Sequence, residues 1–220
     1  MDPIGDVLVA LFTERMARLR TGDGRRGCDM GPLVTAAHRD KVASYIDAGV
    51  AAGAKLVVDG RGIDVDAGVD GASDVDGSGS DGFWLGPTLF DHVPTEASIY
   101  TDEIFGPVLS VVRAPSFDDA LDLVNASPYG NGSAIFTTDG SLARRYQSEV
   151  EVGMVGINVP IPVPAAAYSF GGWKSSLFGD THAYGPDGLH FFTRSKVVTS
   201  KWPRTTTPHA QLDLNFPGNR

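Results

Sequence analysis

Residues 100–108 read Tyr-Thr-Asp-Glu-Ile-Phe-Gly-Pro-Val and lead directly into an apolar run that ends at residue 112. Gly-Pro is a strong turn signal, and the β-branched residues after it predict a buried strand. The carboxylate of Glu103 and the ring of Phe105 stand at the mouth of this strand. There a carboxylate can accept hydrogen bonds from ligand hydroxyls while an aromatic ring packs on a flat ligand. The same letters are also typical of a surface turn with a solvated Glu and a Phe in the core.

Helix and strand patterns alternate on both sides of this stretch. Apolar residues at helical spacing predict an amphipathic helix over residues 4–19, and Thr35 is a good N-cap for a second helix over 36–52. The apolar face of that second helix is expected to hold Val42, Tyr45, Ile46 and Val50. The remaining predictions are a helix capped by Ser116, a helix at 141–150 and strands at 55–58, 133–138 and 154–159. This alternation predicts an α/β protein whose mainly parallel sheet has helices on its faces.

Composition limits the classes of function. The 220 residues are 42% hydrophobic and 20% charged, which is typical of a globular protein with one good core. The net charge of −9 argues against a nucleic-acid partner or an anionic membrane surface. The single cysteine, Cys28, excludes an internal disulfide and suits a cytoplasmic, reducing location. The most apolar run, residues 153–167, contains three prolines and is not expected to cross a membrane.

Three local patterns invite a functional interpretation that their surroundings do not support. Residues 22–27 match the dinucleotide motif G-x-G-x-x-G, but they follow a helix rather than a strand, so a helix stop and loop is the better interpretation. Residues 74–79 resemble the start of a calcium loop, yet Leu85 stands where a bidentate Glu is needed. Cys28 has no base spaced to activate it and is interpreted as a bystander thiol. No catalytic residue and no metal ligand is predicted from these patterns.

Several motifs together resemble the aldehyde dehydrogenase superfamily, in the order and spacing of that family. The central one is Glu-Ile-Phe-Gly-Pro-Val at 103–108, which resembles the family's Glu-x-Phe-Gly-Pro element. Residues 129–138, 153–164 and 179–181 are similar to the CoA-acylating methylmalonate-semialdehyde dehydrogenase branch. The other matching elements are Met-Gly-Pro-Leu at 30–33, Gly-Phe-x-x-x-Pro-Thr at 82–88 and Ser-Phe-Gly-Gly-x-Lys at 169–174, where the family writes Pro for Ser169.

The resemblance implies a cofactor and a set of site residues. Glu103 is expected to hold the ribose hydroxyls of the nicotinamide half of NAD, with Phe105 beside the nicotinamide ring. Phe170 and Asn158 are expected to line the aldehyde pocket, and the two glycines after Phe170 allow close approach of the backbone. The branch converts malonate or methylmalonate semialdehyde with NAD and CoA into acetyl- or propionyl-CoA. NAD is therefore the implied cofactor and CoA the implied co-substrate.

The resemblance also divides the chain into parts. Residues 1–193 are expected to be the C-terminal part of the aldehyde dehydrogenase catalytic domain, with a flexible acidic insertion at 62–82. A β-rich run is expected over residues 191–202, and the overlapping residues 194–203 are expected to be the strand that joins subunits. Residues 204–220 are expected to be a disordered tail.

The family's nucleophilic cysteine, its oxyanion-hole Asn and its cofactor-binding domain all precede the point that residue 1 matches. The chain is therefore expected to be inactive alone, as part of a semialdehyde dehydrogenase. Its expected partners are the missing N-terminal half or further copies of itself in a homo-oligomer. Two alternatives stay open, namely a non-catalytic module that pairs with intact dehydrogenase subunits and an α/β domain that binds some other ligand.

Overall fold

The structure is a computed structural model, and it describes residues 2–63, 65, 82–165, 167–179, 182, 184–200 and 202. Most of the acidic insertion predicted at 62–82 and the whole tail predicted at 204–220 lie outside these residues. Every helix within the described ranges falls short of the length and apolar character that crossing a membrane requires.

Helices and short strands alternate along the described chain. The helices are α1 (Asp2–Met16), α2 (Ala36–Ala51), α3 (Ser98–Thr101), α4 (Phe117–Ala126), α5 (Gly140–Glu149) and α6 (Gly185–Phe192). The strands are β1 (Lys55–Val58), β2 (Thr88–Asp91), β3 (Val108–Ser110), β4 (Tyr129–Gly130), β5 (Gly132–Ile135), β6 (Met154–Ile157) and β7 (Trp173–Lys174). The G-x-G-x-x-G stretch forms a 3-10 turn at Gly24–Arg26 followed by Gly27 at φ 72°, so it is a loop and not a nucleotide-binding turn.

Side-chain caps fix where two of the predicted helices begin. The hydroxyl of Thr35 accepts a hydrogen bond of 3.1 Å from the backbone N–H of His38 and starts α2. Ser116 starts α4 in the same way through the N–H of Asp119 at 3.2 Å. The predicted starts of both helices are confirmed.

The strands form three short sheets among the described residues, where the sequence predicted one mainly parallel sheet. In the first sheet β2 lies between β1, which is antiparallel to it, and β3, which is parallel to it. In the second sheet β5 and β6 run parallel, and in the third β4 and β7 run antiparallel. The prediction was wrong for β1 because no described helix crosses over between β1 and β2, and only such a crossover makes neighbouring strands parallel.

The larger core lies between α2 and the first sheet. Ile46 of α2 is fully buried there, whereas Val50, which was expected on the same face, is 49% exposed. Gly49 takes the inner position instead, since a Cβ at this residue would lie 2.8 Å from Ile99 and 2.9 Å from Phe90. The close approach of α2 to the sheet therefore requires Gly49 and leaves Val50 at the rim of the core. The strand after the 100–108 stretch, β3, is also shorter than the predicted run to residue 112, and it is half-buried where a buried strand was predicted.

A smaller core lies between α4, α5 and the β5–β6 pair. Its buried residues are Leu121, Tyr146, Val150 and Val152. Asn125 closes this core at the end of α4. Its side-chain amide donates to the carbonyl of Glu149 at 2.9 Å, and its side-chain oxygen accepts from the N–H of Glu151 at 2.8 Å. These two bonds tie the C-terminal ends of α4 and α5 together.

Arg113 ties α1 to the first sheet. Its guanidinium donates two hydrogen bonds of 2.8 Å to the carboxylate of Asp91, the last residue of β2. A third bond, of 2.9 Å, goes to Asp6 of α1. Gly5 lies against the guanidinium so closely that a Cβ at this position would collide with it. The ion pair between Asp6 and Arg113 is therefore one contact that joins α1 to the first sheet.

The C-terminal part departs most from the sequence prediction. Helix α6 was not predicted, and it contains Phe191 and Phe192, so the β-rich run predicted for 191–202 is wrong at its start. A proline in the first turn and Asp187 close behind it favour a helix there. Residues 193–200 form neither helix nor strand in the single chain. A strand requires a partner for its backbone N–H and C=O groups, and no strand of the described chain pairs with these residues.

Candidate functional site

Residues 102–106, called here the 102–106 loop, lie against α2 and are held by side chains of that helix. The hydroxyl of Tyr45 donates a hydrogen bond of 2.9 Å to the carboxylate of Asp102. Nε2–H of His38 donates a bond of 2.8 Å to the backbone carbonyl of Phe105. The bond to Asp102 raises the pKa of Tyr45 above its usual value, so the phenol stays protonated over the neutral range. Both ends of the loop are thus fixed to one rigid element.

Side chains in this loop alternate between core and surface. Ile104 is buried in the larger core, while Glu103 and Phe105 on either side of it are exposed, the latter at 74%. Gly106 allows the loop to close on α2, since a Cβ there would lie 2.5 Å from Val42. The loop therefore presents a carboxylate and an aromatic ring to solvent on a backbone that the core holds in place.

Two features distinguish Glu103 and Phe105 from an ordinary turn. Phe105 has a φ of 53°, a left-handed conformation that is uncommon for a residue with a Cβ and that concentrates at functional sites. Glu103 has no hydrogen-bond or ion-pair partner among the residues that the structure describes. Both of its carboxylate oxygens are therefore open to accept hydrogen bonds from a ligand.

Asn158 follows β6 and is engaged with its own chain. Its side-chain oxygen accepts from the N–H of Thr137 at 2.9 Å, and its amide donates to the carbonyl of the same residue at 3.0 Å. Its φ of 57° turns the backbone away at the end of the β5–β6 pair. The amide of Asn158 thus fixes a turn, so a contribution to a pocket wall would come from its surface and not from a free hydrogen-bonding group.

Residues 169–175, called here the glycine-rich loop, are anchored at their far end by Lys174. Its ammonium donates to the carbonyls of Asn125 at 2.6 Å and Ser127 at 3.2 Å, at the C-terminal end of α4. It also forms an ion pair of 3.2 Å with Glu151. A cation at this end of a helix satisfies orphan carbonyls and complements the helix dipole. Lys174 therefore joins the loop to the smaller core.

Phe170 stands at the near end of the glycine-rich loop and is 40% exposed. Its ring packs edge-on against Tyr184, with centroids 6.0 Å apart at 90°. The predicted close approach at the two glycines is confirmed. A Cβ on Gly171 would lie 2.7 Å from His182, and one on Gly172 would lie 2.9 Å from Asn131.

Two clefts lie near these elements. The first cleft, of about 470 Å³, is lined mostly by apolar residues from α4 and from the ends of β3 and β5, among them Val112, Leu123, Val124, Tyr129 and Gly132. The second cleft, of about 480 Å³, lies beside the glycine-rich loop and is lined by Gly172, Trp173, Lys174, Leu177, Gly179 and His182. Neither cleft is lined by Glu103, Phe105, Asn158 or Phe170. The assignment of these four residues to one site therefore stays a prediction.

Cys28 lies half-buried in the loop between the 3-10 turn and α2, and it forms no disulfide. It precedes no helix N-terminus directly, a position that would activate a thiolate. In the described part of the chain, no three His, Cys, Asp or Glu side chains gather closely enough to hold a metal ion.

The residues that hold the 102–106 loop were not predicted as functional. His38, Val42 and Tyr45 are spaced so that they lie on one side of α2, and this spacing was the available signal. Lys174 offered no such signal, because its partners lie 47 and 49 residues earlier in the sequence.

Comparison of the whole sequence with known families agrees with the fold. The family model described as the aldehyde dehydrogenase family matches residues 2–198. The chain therefore belongs to the aldehyde dehydrogenase family.

Individual relatives point to one branch of that family. A malonate-semialdehyde dehydrogenase from Pseudomonas aeruginosa is 53% identical over 217 residues, which are 98% of this chain and 41% of the relative. A crystal structure of methylmalonate-semialdehyde dehydrogenase from Oceanimonas doudoroffii is 48% identical with a TM-score of 0.84, over 93% of this chain and 40% of that one. A Mycobacterium tuberculosis aldehyde dehydrogenase complexed with NAD+ is 30% identical with a TM-score of 0.71, over 86% and 36%. The resemblance to the semialdehyde dehydrogenases is confirmed, and the chain spans about two fifths of the length of these relatives.

Proposed function

We propose that this chain is the C-terminal part of the catalytic domain of an NAD-dependent, CoA-acylating malonate- or methylmalonate-semialdehyde dehydrogenase. The observation that carries the proposal is the 102–106 loop, in which an open carboxylate and an exposed aromatic ring on a left-handed backbone stand on either side of a buried residue. The likeness along nearly the whole chain to semialdehyde dehydrogenases supports the substrate class.

In this proposal Glu103 and Phe105 form half of the site for the nicotinamide end of NAD. When bound, NAD supplies the acceptor for a hydride from the substrate. The open carboxylate of Glu103 accepts hydrogen bonds from the two ribose hydroxyls, and the ring of Phe105 packs beside the nicotinamide. Held by Tyr45 and His38, the 102–106 loop orients both groups without further ordering on binding.

Phe170 and Asn158 contribute to the wall of the aldehyde pocket. Phe170 supplies an apolar surface that Tyr184 steadies, and Asn158 sets the turn that follows β6. The thiolate that attacks the aldehyde comes from polypeptide outside the 220 residues, since Cys28 lacks the setting of an activated nucleophile. The chain alone is therefore inactive and binds NAD only at about millimolar concentration, near −4 kcal/mol.

Two surfaces support the presence of further polypeptide. One is the outward face of α1, where Ile4, Val7, Leu8 and Leu11 are all exposed. The other is the apolar first cleft, which lies where β3 and β5 each pair with a single strand among the residues that the structure describes. The missing N-terminal half is the partner we propose for both surfaces, because buried apolar area and free strand edges favour association.

Residues 194–203 are proposed to be the strand that joins subunits of a homo-oligomer. Val197, Val198 and Trp202 are almost fully exposed in the single chain, at 92%, 74% and 88%. The same exposure favours a second candidate function, in which the chain is a non-catalytic module that pairs with intact dehydrogenase subunits. The two functions differ in whether a supplied N-terminal half restores catalysis.

The test is an assay of NADH formation from malonate semialdehyde with NAD and CoA, using the chain alone and the chain mixed with the N-terminal three fifths of the Pseudomonas aeruginosa relative. We expect no activity from either part alone and activity from the mixture. Activity from the chain alone would contradict the proposed missing nucleophile. A mixture that forms a stable complex without turnover would favour the non-catalytic module.

Glu103→Gln in the active mixture tests the NAD half-site. Loss of a charged hydrogen-bond acceptor is expected to raise the KM for NAD roughly tenfold or more. Glu96→Gln is the matched control, since Glu96 is an exposed glutamate on the preceding segment. Equal KM values for the two variants would place the ribose elsewhere.

A further inference from the structure

Ser169, His182 and Asp187, called here the Ser169 cluster, meet beside the second cleft. The hydroxyl of Ser169 donates a hydrogen bond of 2.8 Å to the carboxylate of Asp187. The same hydroxyl oxygen is in hydrogen-bond contact with Nδ1 of His182. Ser169 and His182 belong to the segment before α6, and Asp187 lies in the first turn of α6.

The composition suggests a hydrolytic triad, but the connectivity excludes one. In a triad the histidine lies between the serine and the carboxylate, so that it can remove the hydroxyl proton. Here Ser169 lies in the middle, and its only proton points to Asp187. The hydroxyl is therefore not activated as a nucleophile.

The same connectivity determines the protonation of the imidazole. An ionised carboxylate only accepts hydrogen bonds, so Ser169 spends its proton on Asp187 and can only accept from His182. Nδ1 of His182 must then carry the hydrogen that closes the contact. In the neutral ring this leaves the lone pair on Nε2, because the hydrogen bond at one ring nitrogen decides the state of the other.

We propose that Ser169 and Asp187 position His182 so that its Nε2 is a proton acceptor open to the second cleft, for a small molecule that offers an O–H or S–H group. His182 lines this cleft of about 480 Å³, and among the described residues its Nε2 has no hydrogen-bond partner. Close packing on Gly171 holds the ring in place, since a Cβ there would lie 2.7 Å from Cδ2.

The ammonium of Lys174, which also lines the cleft, does not compete for this role. The three protons of the Lys174 ammonium are taken by the carbonyls of Asn125 and Ser127 and by the carboxylate of Glu151. Among the described lining residues, His182 is thus the side chain that can accept a proton from a ligand in the cleft. None of these contacts depends on the proposed dehydrogenase activity.

Nuclear magnetic resonance of the full chain, labelled with nitrogen-15, tests the tautomer directly. At a pH of about 8, where histidines are mostly neutral, the two-bond proton–nitrogen spectrum separates a protonated from an unprotonated ring nitrogen. His182→Gln assigns the signals. We expect Nδ1 protonated and Nε2 unprotonated, and the reverse pattern in the unmodified chain would overturn the proposal.

Paired variants separate positioning from general packing. Ser169→Ala and Asp187→Ala should move His182 toward the tautomer with the proton on Nε2, the first by removing the acceptor and the second by freeing the serine proton. Ser169→Thr and Asp187→Asn keep the hydroxyl and an acceptor oxygen, so both should retain the original pattern. An unchanged pattern in Ser169→Ala would show that Ser169 does not set the tautomer.

Access to the cleft is tested with diethyl pyrocarbonate, which reacts with an unprotonated imidazole nitrogen. Peptide mapping of the native chain should show His182 modified at a rate comparable to that of His190, which is exposed on α6. A His182 that stays unmodified while His190 reacts would show that Nε2 is closed to solvent and would overturn the proposed ligand site.

Discussion

Asp91 is a carboxylate buried at the end of β2, with only 3% of its side chain exposed, and Arg113 balances its charge. The hydrogen bonds from Arg113 lower the pKa of Asp91 below its ordinary value of 3.8, although burial acts in the opposite direction. A carboxyl group with a lowered pKa binds its proton less readily in the folded chain than in the unfolded one. Its contribution to stability is therefore fully present above about pH 4 and is lost as the pH falls through the lowered pKa.

Asp91→Asn should lower the melting temperature near pH 7 by roughly 5 °C or more, because it leaves Arg113 without its buried counter-charge. The difference from the unmodified chain should begin to shrink below about pH 4 and should be lost as the pH falls through the lowered pKa, where Asp91 becomes protonated in the folded chain as well. Thermal melts followed by circular dichroism over this pH range measure both effects. Asp6→Asn is the control, since Asp6 is an exposed partner of the same arginine and should have little effect. A pH-independent difference for Asp91→Asn would mean that packing, not charge, accounts for the lost stability.

Lys174 connects two secondary-structure elements, because it lies on β7 and bonds to the C-terminal end of α4. Through this contact it holds the glycine-rich loop in place. Lys174→Met should cost about 2 kcal/mol of stability, because two helix-end carbonyls lose their charged donor. Lys174 has a left-handed φ of 54°, which is as unfavourable for Met as for Lys. The substitution therefore removes the ammonium without changing the cost of this backbone conformation. Hydrogen exchange of residues 171–176 should rise in this variant and not in Lys41→Met, which alters an exposed lysine of α2. Equal exchange in both variants would contradict an anchoring role.

Elements with local signals were predicted well from the sequence. Thr35 and Ser116 form their caps within three residues of their own position, so their helices could be located without knowledge of the fold. The sequence could not show that Gly49, and not Val50, lies on the inner face of α2. That position depends on how close Ile99 comes to the helix in the folded chain. The orientation of β1 depended equally on its tertiary partner.

The candidate site divides in the same way. Glu103 and Phe105 were predicted as site residues from a short motif, and the structure leaves both exposed on either side of the buried Ile104. In the Ser169 cluster, His182 and Asp187 lie 13 and 18 positions after Ser169. Asp187 is on α6, the helix that the sequence did not predict. Contacts between residues this far apart in the sequence leave no periodic pattern, so they became visible only in the structure.

At the scale of the whole molecule, the described chain leaves much apolar surface uncovered at its two ends. The first end is the outward face of α1, and the second is the segment from Phe191 to Trp202. Exposed patches of this kind favour association, either with other polypeptide or with further copies of the chain. The two ends differ in kind, because α1 offers a helix face and residues 194–200 offer unpaired backbone.

Removal of all residues after Thr193 should therefore shift the purified chain from dimers or larger assemblies toward smaller species. The reason is that it removes both the unpaired backbone and the exposed Val197, Val198 and Trp202. Light scattering after size exclusion at micromolar concentration measures the change. Leu8→Glu with Leu11→Glu, which places charges on the face of α1, is the matched variant for the other end. A monomer peak for the full chain, unchanged by either alteration, would require residues 194–203 to fold back onto their own chain and would remove the basis for a subunit-joining strand.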